Sequence, residues 1–222
     1  MPVPILYQDD EILVIDKPAG LAVHPGPRTP HSLEALLPEI GRAAGGRRLP
    51  VILHRLDRDT SGCLVLARTR AGVRRVAGLF AGRAVRKTYW ALLDALPEAE
   101  AGTIDAPLMK ISTAEAGWRM IVDPSGKAAV THWRVIDRAA RLVEFRPETG
   151  RTHQLRVHAT CMGSAIMGDP VYGRAAAGPG MRLHARAVEM EMRDGVRRQV
   201  VAPVPAGWPD GLSGGADAAN QN

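Results

Sequence analysis

Apolar and polar positions change over in short blocks along this chain. From Ile5 to Leu21 the segment ILYQDDEILVIDKPAGL holds two β-favouring runs broken by Asp9-Asp10 and followed by Pro18-Ala19-Gly20, which predicts two strands, a tight turn and an ordered loop. Between His31 and Arg42, Leu33, Leu36, Leu37 and Ile40 recur at intervals of three and four, the period of one helical face. Gly45 to Arg48 reads as a mobile basic loop. The run GCLVLAR from Gly62 to Arg68 is a strand candidate, and Thr69 can cap a helix with the stripe Val73, Val76, Ala77 and Phe80, closed by Gly82. Arg70, Arg74 and Arg75 fall mostly off that stripe. Val85 to Leu93 reads as a strand, and AVTHWRVID with RLVEFRP as two arms of a hairpin turning at Arg138 to Arg141. Leu155, Ala159 and Met162 predict a third helix, with Thr152 as its N-cap and Gly163 as its stop. LHARAVEMEM and VRRQVVAP are again β-like. β-rich segments alternating with only three good helices predict an α+β fold on a mixed, largely antiparallel sheet with flanking helices and loops. The end of the chain, small, polar and rich in glycine, is expected to stay disordered.

Composition narrows the class. With 222 residues, 45% of them apolar and 23% charged, the chain can bury a sizeable core, which excludes a disulfide-stapled peptide and a wholly disordered protein. No apolar run approaches the roughly 18 residues a membrane span needs, and MPVPILYQDDE lacks the pattern of a signal peptide, so a cytoplasmic protein without a membrane partner is expected. Cys63 and Cys161 are too few for a disulfide framework or a four-cysteine zinc site; both read as small buried hydrophobes. The formal charge is +6, and all basic residues except Lys17, Lys87, Lys110 and Lys127 are arginines, side chains shaped for bidentate phosphate contact. A polyanionic partner fits that balance, as does a simple arginine bias.

Two polar clusters stand out. His54-Arg55-Leu56-Asp57-Arg58-Asp59-Thr60-Ser61-Gly62 crowds ionisable and hydroxyl groups ahead of a buried-looking strand. A carboxylate among arginines stays ionised, as a nucleophile or base requires, although a salt-bridged turn would look the same. Thr149 to His158, TGRTHQLRVH, places Arg151, Gln154 and Arg156 at a helix start that favours anions. His153 and His158 are five apart, off the spacing that sets two zinc ligands on one helical face, so they read as structural. No phosphate-binding glycine loop, dinucleotide fingerprint or nucleophile-elbow serine occurs.

Taken together and in this order, the clusters resemble the pseudouridine synthases of the RluA branch, which modify ribosomal and transfer RNA. The resemblance runs from about Ile5 to about Pro203. Asp16-Lys17-Pro18-Ala19-Gly20-Leu21 with His24-Pro25 resembles the family's N-terminal signature, His54 to Gly62 its catalytic loop, and Lys87-Thr88-Tyr89 the strand with its active-site tyrosine. Thr149 to His158 resembles its TGR-x-HQ motif, and Gly168-Asp169, Tyr172-Gly173 and Leu183-His184-Ala185 its C-terminal markers. The resemblance implies a catalytic domain over residues 1–203, a tail over 204–222 and no separate N-terminal RNA-binding domain. It implies Asp57 as the catalytic aspartate, Tyr89 as the tyrosine against the target base and Arg156 as the arginine pairing with the aspartate. Arg55, Arg58, Thr60, Arg151, His153 and Gln154 are the expected RNA contacts. The implied reaction isomerises uridine to pseudouridine: the N1–C1′ bond breaks, the uracil turns while held, and C5 bonds to C1′. No cofactor and no metal is expected, the partner is a structured rRNA or tRNA stem-loop, and the chain is expected to act as a monomer. Because a paired base is inaccessible, the target must be unpaired or extruded, with Arg55 a candidate to fill the vacated space.

Two positions depart from the family pattern. Trp90 stands where a smaller aliphatic residue is usual, and Cys63 where Leu, Val or Ile is usual; both lie where a core face could absorb them. The competing reading from another class is an RNA-binding or ribosome-assembly factor on the same fold without catalysis, which the presence of all three catalytic residue types disfavours.

Overall fold

The computed structural model describes residues 3–26, 31–46, 48–113, 117–173 and 180–212. In chain order the elements begin β1 (Ile5–Gln8), β2 (Ile12–Lys17), α1 (Leu33–Ala43), β3 (Val51–Ile52), β4 (Ser61–Ala67) and α2 (Arg70–Ala81). There follow β5 (Arg86–Leu92), β6 (Ala101–Asp105), β7 (Leu108–Thr113), β8 (Gly117–Val122), β9 (Val130–Asp137) and β10 (Leu142–Pro147). The last are α3 (Gln154–Cys161), β11 (Leu183–Glu191) and β12 (Arg197–Val201). Contacts divide the chain into two compact units, Met1–Lys87 with His184–Asn222, and Thr88–Leu183.

In the first unit the strand order is β1-β2-β4-β11-β12, with β3 also on β4. The Asp9 carboxylate accepts from the N–H groups of Glu11 and Ile12 and closes the β1–β2 turn. Every pairing here is antiparallel except β4 with β11, which makes the sheet mixed. Ile12, Val14, Cys63, Val65, Val188, Met190 and Val200 form the core beneath α2, which contributes Val76. Thr69 caps α2 by accepting from Gly72 N–H at 3.1 Å. The stripe on α2 is rotated from the expected one: Gly72, Val76, Leu79 and Phe80 face inward while Ala77 is exposed. Of the three arginines on that helix, Arg70 and Arg74 are exposed, and Arg75 is tied to Glu11 at 2.7 Å and to the Glu191 carbonyl.

The second unit orders its strands β5-β10-β9-β6, all antiparallel, and adds the separate hairpin β7–β8. Helix α3 packs Leu155 and Ala159 against Ala91, Val143 and Phe145. Leu108 and Met120 at the foot of the hairpin join Ala129 and Val157 in a smaller cluster.

Several expectations need correction. His153, not Thr152, occupies the N-cap of α3, in a left-handed conformation with φ 54°. Cys161 is exposed, whereas Cys63 is buried. The packed chain extends past residue 203, because Trp208 is buried with its ring 6.1 Å from that of His184. Residues 213–222 of the expected tail, and Arg47 of the basic loop, lie outside the described residues. The departures from the family pattern are absorbed as core: Trp90 and Cys63 are both buried. No helix among the described residues is long and apolar enough to cross a membrane.

Candidate active site

The acidic segment between β3 and β4 is anchored at both ends. His54 Nε2 accepts from Val65 N–H at 2.9 Å, and its ring lies 4.8 Å from Phe80. At the other end, a Cβ on Gly62 would stand 2.3 Å from the Ala185 carbonyl oxygen, and the residue sits at φ 103°, so only glycine lets β4 approach β11 so closely. Between these anchors Thr60 N–H donates to the Asp57 carbonyl at 3.2 Å and closes a turn that leaves Asp57 half-buried.

A buried lysine holds that turn in place. Lys17, at the end of β2, is 0% exposed, and its ammonium donates to the carbonyls of Pro18, Leu21 and Arg58 at 2.8, 2.8 and 3.0 Å. Gly20 N–H donates to the same Arg58 carbonyl at 2.9 Å. The Asp16-to-Leu21 signature is therefore the clamp of the acidic loop. Burial pulls the Lys17 ammonium down to about 8, against the charges of Asp59, Asp57 and Asp16 that favour its protonated form. Arg58 grips its neighbour Asp59 through Nε and Nη2 at 3.0 and 3.2 Å. Of the expected RNA contacts in this loop, Arg55 and Arg58 are exposed and Thr60 is buried.

In the second unit Tyr89 lies on β5 opposite Phe145 and packs, half-buried, against the cluster that includes Leu155. Arg156, on α3, forms a bidentate pair with Asp169, Nε to Oδ2 at 2.7 Å and Nη2 to Oδ1 at 2.8 Å. The Asp169 carboxylate also accepts from the N–H groups of Val171 and Tyr172. Burial alone would raise its affinity for a proton, but the hydrogen bonds and charge of Arg156 and the two N–H groups outweigh it and hold Asp169 below its ordinary value. The Arg156 guanidinium carbon lies 5.1 Å from the Tyr172 ring. Gly168 brings the aspartate's loop close: a Cβ there would be 2.2 Å from the Gly180 carbonyl oxygen. His153 Nδ1 and the Tyr172 hydroxyl are 2.9 Å apart. Gln154 is buried, its Oε1 accepting from Thr149 and from Arg151 N–H, and its Nε2 donating to Val130 O and Thr131. Arg151 is exposed and donates through Nε to the Ala128 carbonyl.

Each expected cluster is thus assembled within its own unit, and in each the buried polar members hold backbone in place while the arginines at the rim are presented. Two contributors, Lys17 and Asp169, stood in the quoted signatures without a role. Lys17 follows four fully buried positions of β2, and a cation in such a strand needs local oxygen partners. Asp169 is the carboxylate that a buried arginine on α3 demands.

A family model for RNA pseudouridylate synthases matches residues 11–160. The chain belongs to the RNA pseudouridylate synthase family. It is therefore an RNA pseudouridine synthase, an enzyme that isomerises uridine in RNA. An uncharacterised RNA pseudouridine synthase of Zymomonas mobilis is 46% identical over 211 residues, covering 93% of this chain and 95% of that one. A ribosomal large subunit pseudouridine synthase D of the same organism is 41% identical over 182 residues, covering 79% of this synthase and 57% of that protein. Among solved structures, human RNA pseudouridylate synthase domain containing 4 superposes with a TM-score of 0.75 at 27% identity, covering 91% of this chain and 89% of that one. The α+β architecture read from the sequence is the architecture of these synthases.

Proposed function

We propose that this synthase converts uridine in large-subunit ribosomal RNA, in the cytoplasm, with Asp57 as the carboxylate that acts on an extruded uridine. The observation that carries the residue assignment is the clamp on the acidic loop: three backbone carbonyls gathered on a fully buried lysine fix the turn that presents Asp57. A reacting carboxylate needs that rigidity, because misplacement by about 1 Å can cost about a hundredfold in rate. Tyr89 supplies a flat face for the uracil and a hydroxyl for proton transfer at C5. Arg156, oriented by Asp169, supplies the fixed cation of the site. The reaction is balanced within the nucleotide, since the N1–C1′ bond is exchanged for C5–C1′ and the C5 proton is lost as N1 gains one. Ribosomal RNA as substrate is supported by relatives named ribosomal large subunit pseudouridine synthase D in Zymomonas mobilis, Nitrosomonas europaea and Pseudomonas aeruginosa.

The test is mass-resolved pseudouridine mapping of total RNA from cells with and without the gene. Loss of one or more sites in large-subunit rRNA, restored by the wild-type gene and not by Asp57→Asn, is expected. Loss confined to tRNA would move the substrate, and an unchanged map would remove the activity.

A further inference from the structure

The β7–β8 hairpin carries a surface that neither the catalytic assignment nor the core accounts for. Trp118 is 46% exposed, whereas Trp90 and Trp208 are buried. Its position is well supported from below. Leu108 and Met120 anchor the hairpin in the core, Met120 N–H donates to the Tyr172 hydroxyl at 2.9 Å, and the same hydroxyl is 2.9 Å from His153 Nδ1. The His153 ring then backs the indole at 4.9 Å with a tilt of 30°. Lys110 Nζ is 5.1 Å from the Trp118 ring centroid, and by the alternation of the strand Lys110 and Trp118 share one face of the hairpin while Arg119, exposed, lies on the other. The two strands, LMKIST and GWRMIV, contain no carboxylate; Glu115, between them in sequence, lies outside the described residues.

We infer that Trp118 is a stacking platform for an unpaired base of the RNA substrate, with Lys110 as its phosphate contact. An aromatic ring half open to water with an ammonium 5.1 Å from its centroid matches the chemistry of single-stranded nucleic acid, in which π-faces alternate with phosphates. The backing by His153 and Tyr172 holds the indole in one orientation, so little ordering is needed when a base arrives. This inference deepens the RNA-isomerase reading and rests on it. It assigns binding, not chemistry, to the hairpin.

The test titrates the full chain with single-stranded oligouridylate and with a large-subunit rRNA transcript, reading tryptophan fluorescence, affinity and melting temperature. Wild type should show quenching that Trp118→Phe loses, because the emitting ring in contact with the base is gone. Trp118→Ala should weaken binding about 5- to 150-fold, the size of one base–aromatic stack. Trp118→Phe should recover part of that loss, and Lys110→Ala should flatten the salt dependence by somewhat under one unit of slope. Asp57→Asn should leave the quenching intact. The inference is overturned if neither RNA quenches wild type, if Trp118→Phe quenches as wild type does, or if Trp118→Ala binds within twofold of wild type at unchanged melting temperature. If Trp118→Ala melts lower, the Phe variant decides alone. Intact quenching with an unchanged pseudouridine map would leave the platform standing and remove the proposed activity.

Discussion

Arg156 and Asp169 face each other as a fork on a carboxylate, with side chains 5% and 0% exposed. Their value lies in geometry more than in net stability, because two charges taken out of water repay their desolvation only when every bond is made. Removing one partner takes the fork of hydrogen bonds and the opposite charge from the other while it stays buried. Asp169→Ala is expected to cost about 3–5 kcal/mol of unfolding free energy, read by urea denaturation. Arg156→Lys, which keeps the charge and loses the planar fork, should keep partial activity, and Arg156→Ala should lose most of it. An alanine variant of Arg156 with full stability and full turnover would remove it from the site.

Two glycines of the first unit should respond in opposite directions to the same added methyl. At Gly62 a Cβ would meet the Ala185 carbonyl oxygen and the backbone sits at positive φ, so Gly62→Ala is expected to cost about 2–6 kcal/mol from strain and overpacking. Gly78, in the middle of α2, is exposed and has open space for 4 Å around the point a Cβ would take, so Gly78→Ala should gain about 0.5–1 kcal/mol. Thermal melts of the two variants side by side check both signs.

Two histidines that resist charging, half-buried His54 and buried His184, set the acid limit of the first unit. Burial, reinforced by the Lys87 charge, holds His54 at about 3, and burial with the Arg186 charge holds His184 at about 4. Both lie below the ordinary 6.5, so as pH falls through 6.5 the unfolded chain takes up protons that the folded chain refuses. Their contribution is complete above pH 6.5 and declines as pH falls toward 4 and 3. At pH 5 each histidine should have cost about 2 kcal/mol relative to neutral pH. Urea unfolding at pH 7 and pH 5 reads the sum, and His184→Asn should reduce the difference. Equal stability of wild type at the two pH values would contradict the account.

Tyr89 separates base contact from packing. If its hydroxyl moves a proton at C5, Tyr89→Phe should leave RNA affinity and melting temperature nearly unchanged and slow conversion about 10²- to 10⁴-fold. A Phe variant as fast as wild type would reduce Tyr89 to a core residue.

The elements that sequence periodicity identified are those in which burial follows the chain. β2 and β4 are apolar almost throughout because their residues are enclosed, and α1 and α2 show their stripe because one face of each is covered. β7 and β8 escaped because only the foot of the hairpin is buried, and each strand carries a cation at an exposed position. The cap of α3 escaped for a local reason. Gln154 turns back to accept from Arg151 N–H and Thr149, and that reversal places His153 at positive φ, a conformation no histidine advertises. The candidate catalytic residues were legible as residue types in ordered motifs. What holds them was not legible as a role: Lys17 joins two carbonyls of its own loop to that of Arg58, 41 residues on, and Asp169 reaches back 13 residues to Arg156.

The central claim is that Asp57 carries out the chemistry and that RNA affinity resides elsewhere. The most direct measurement is single-turnover conversion by Asp57→Asn at saturating large-subunit rRNA transcript, with affinity measured on the same samples. Because a reacting carboxylate acts on the transition state and phosphate contacts supply most of the binding, the variant should bind within a few fold of wild type and form no pseudouridine. Conversion within tenfold of the wild-type rate would contradict the assignment.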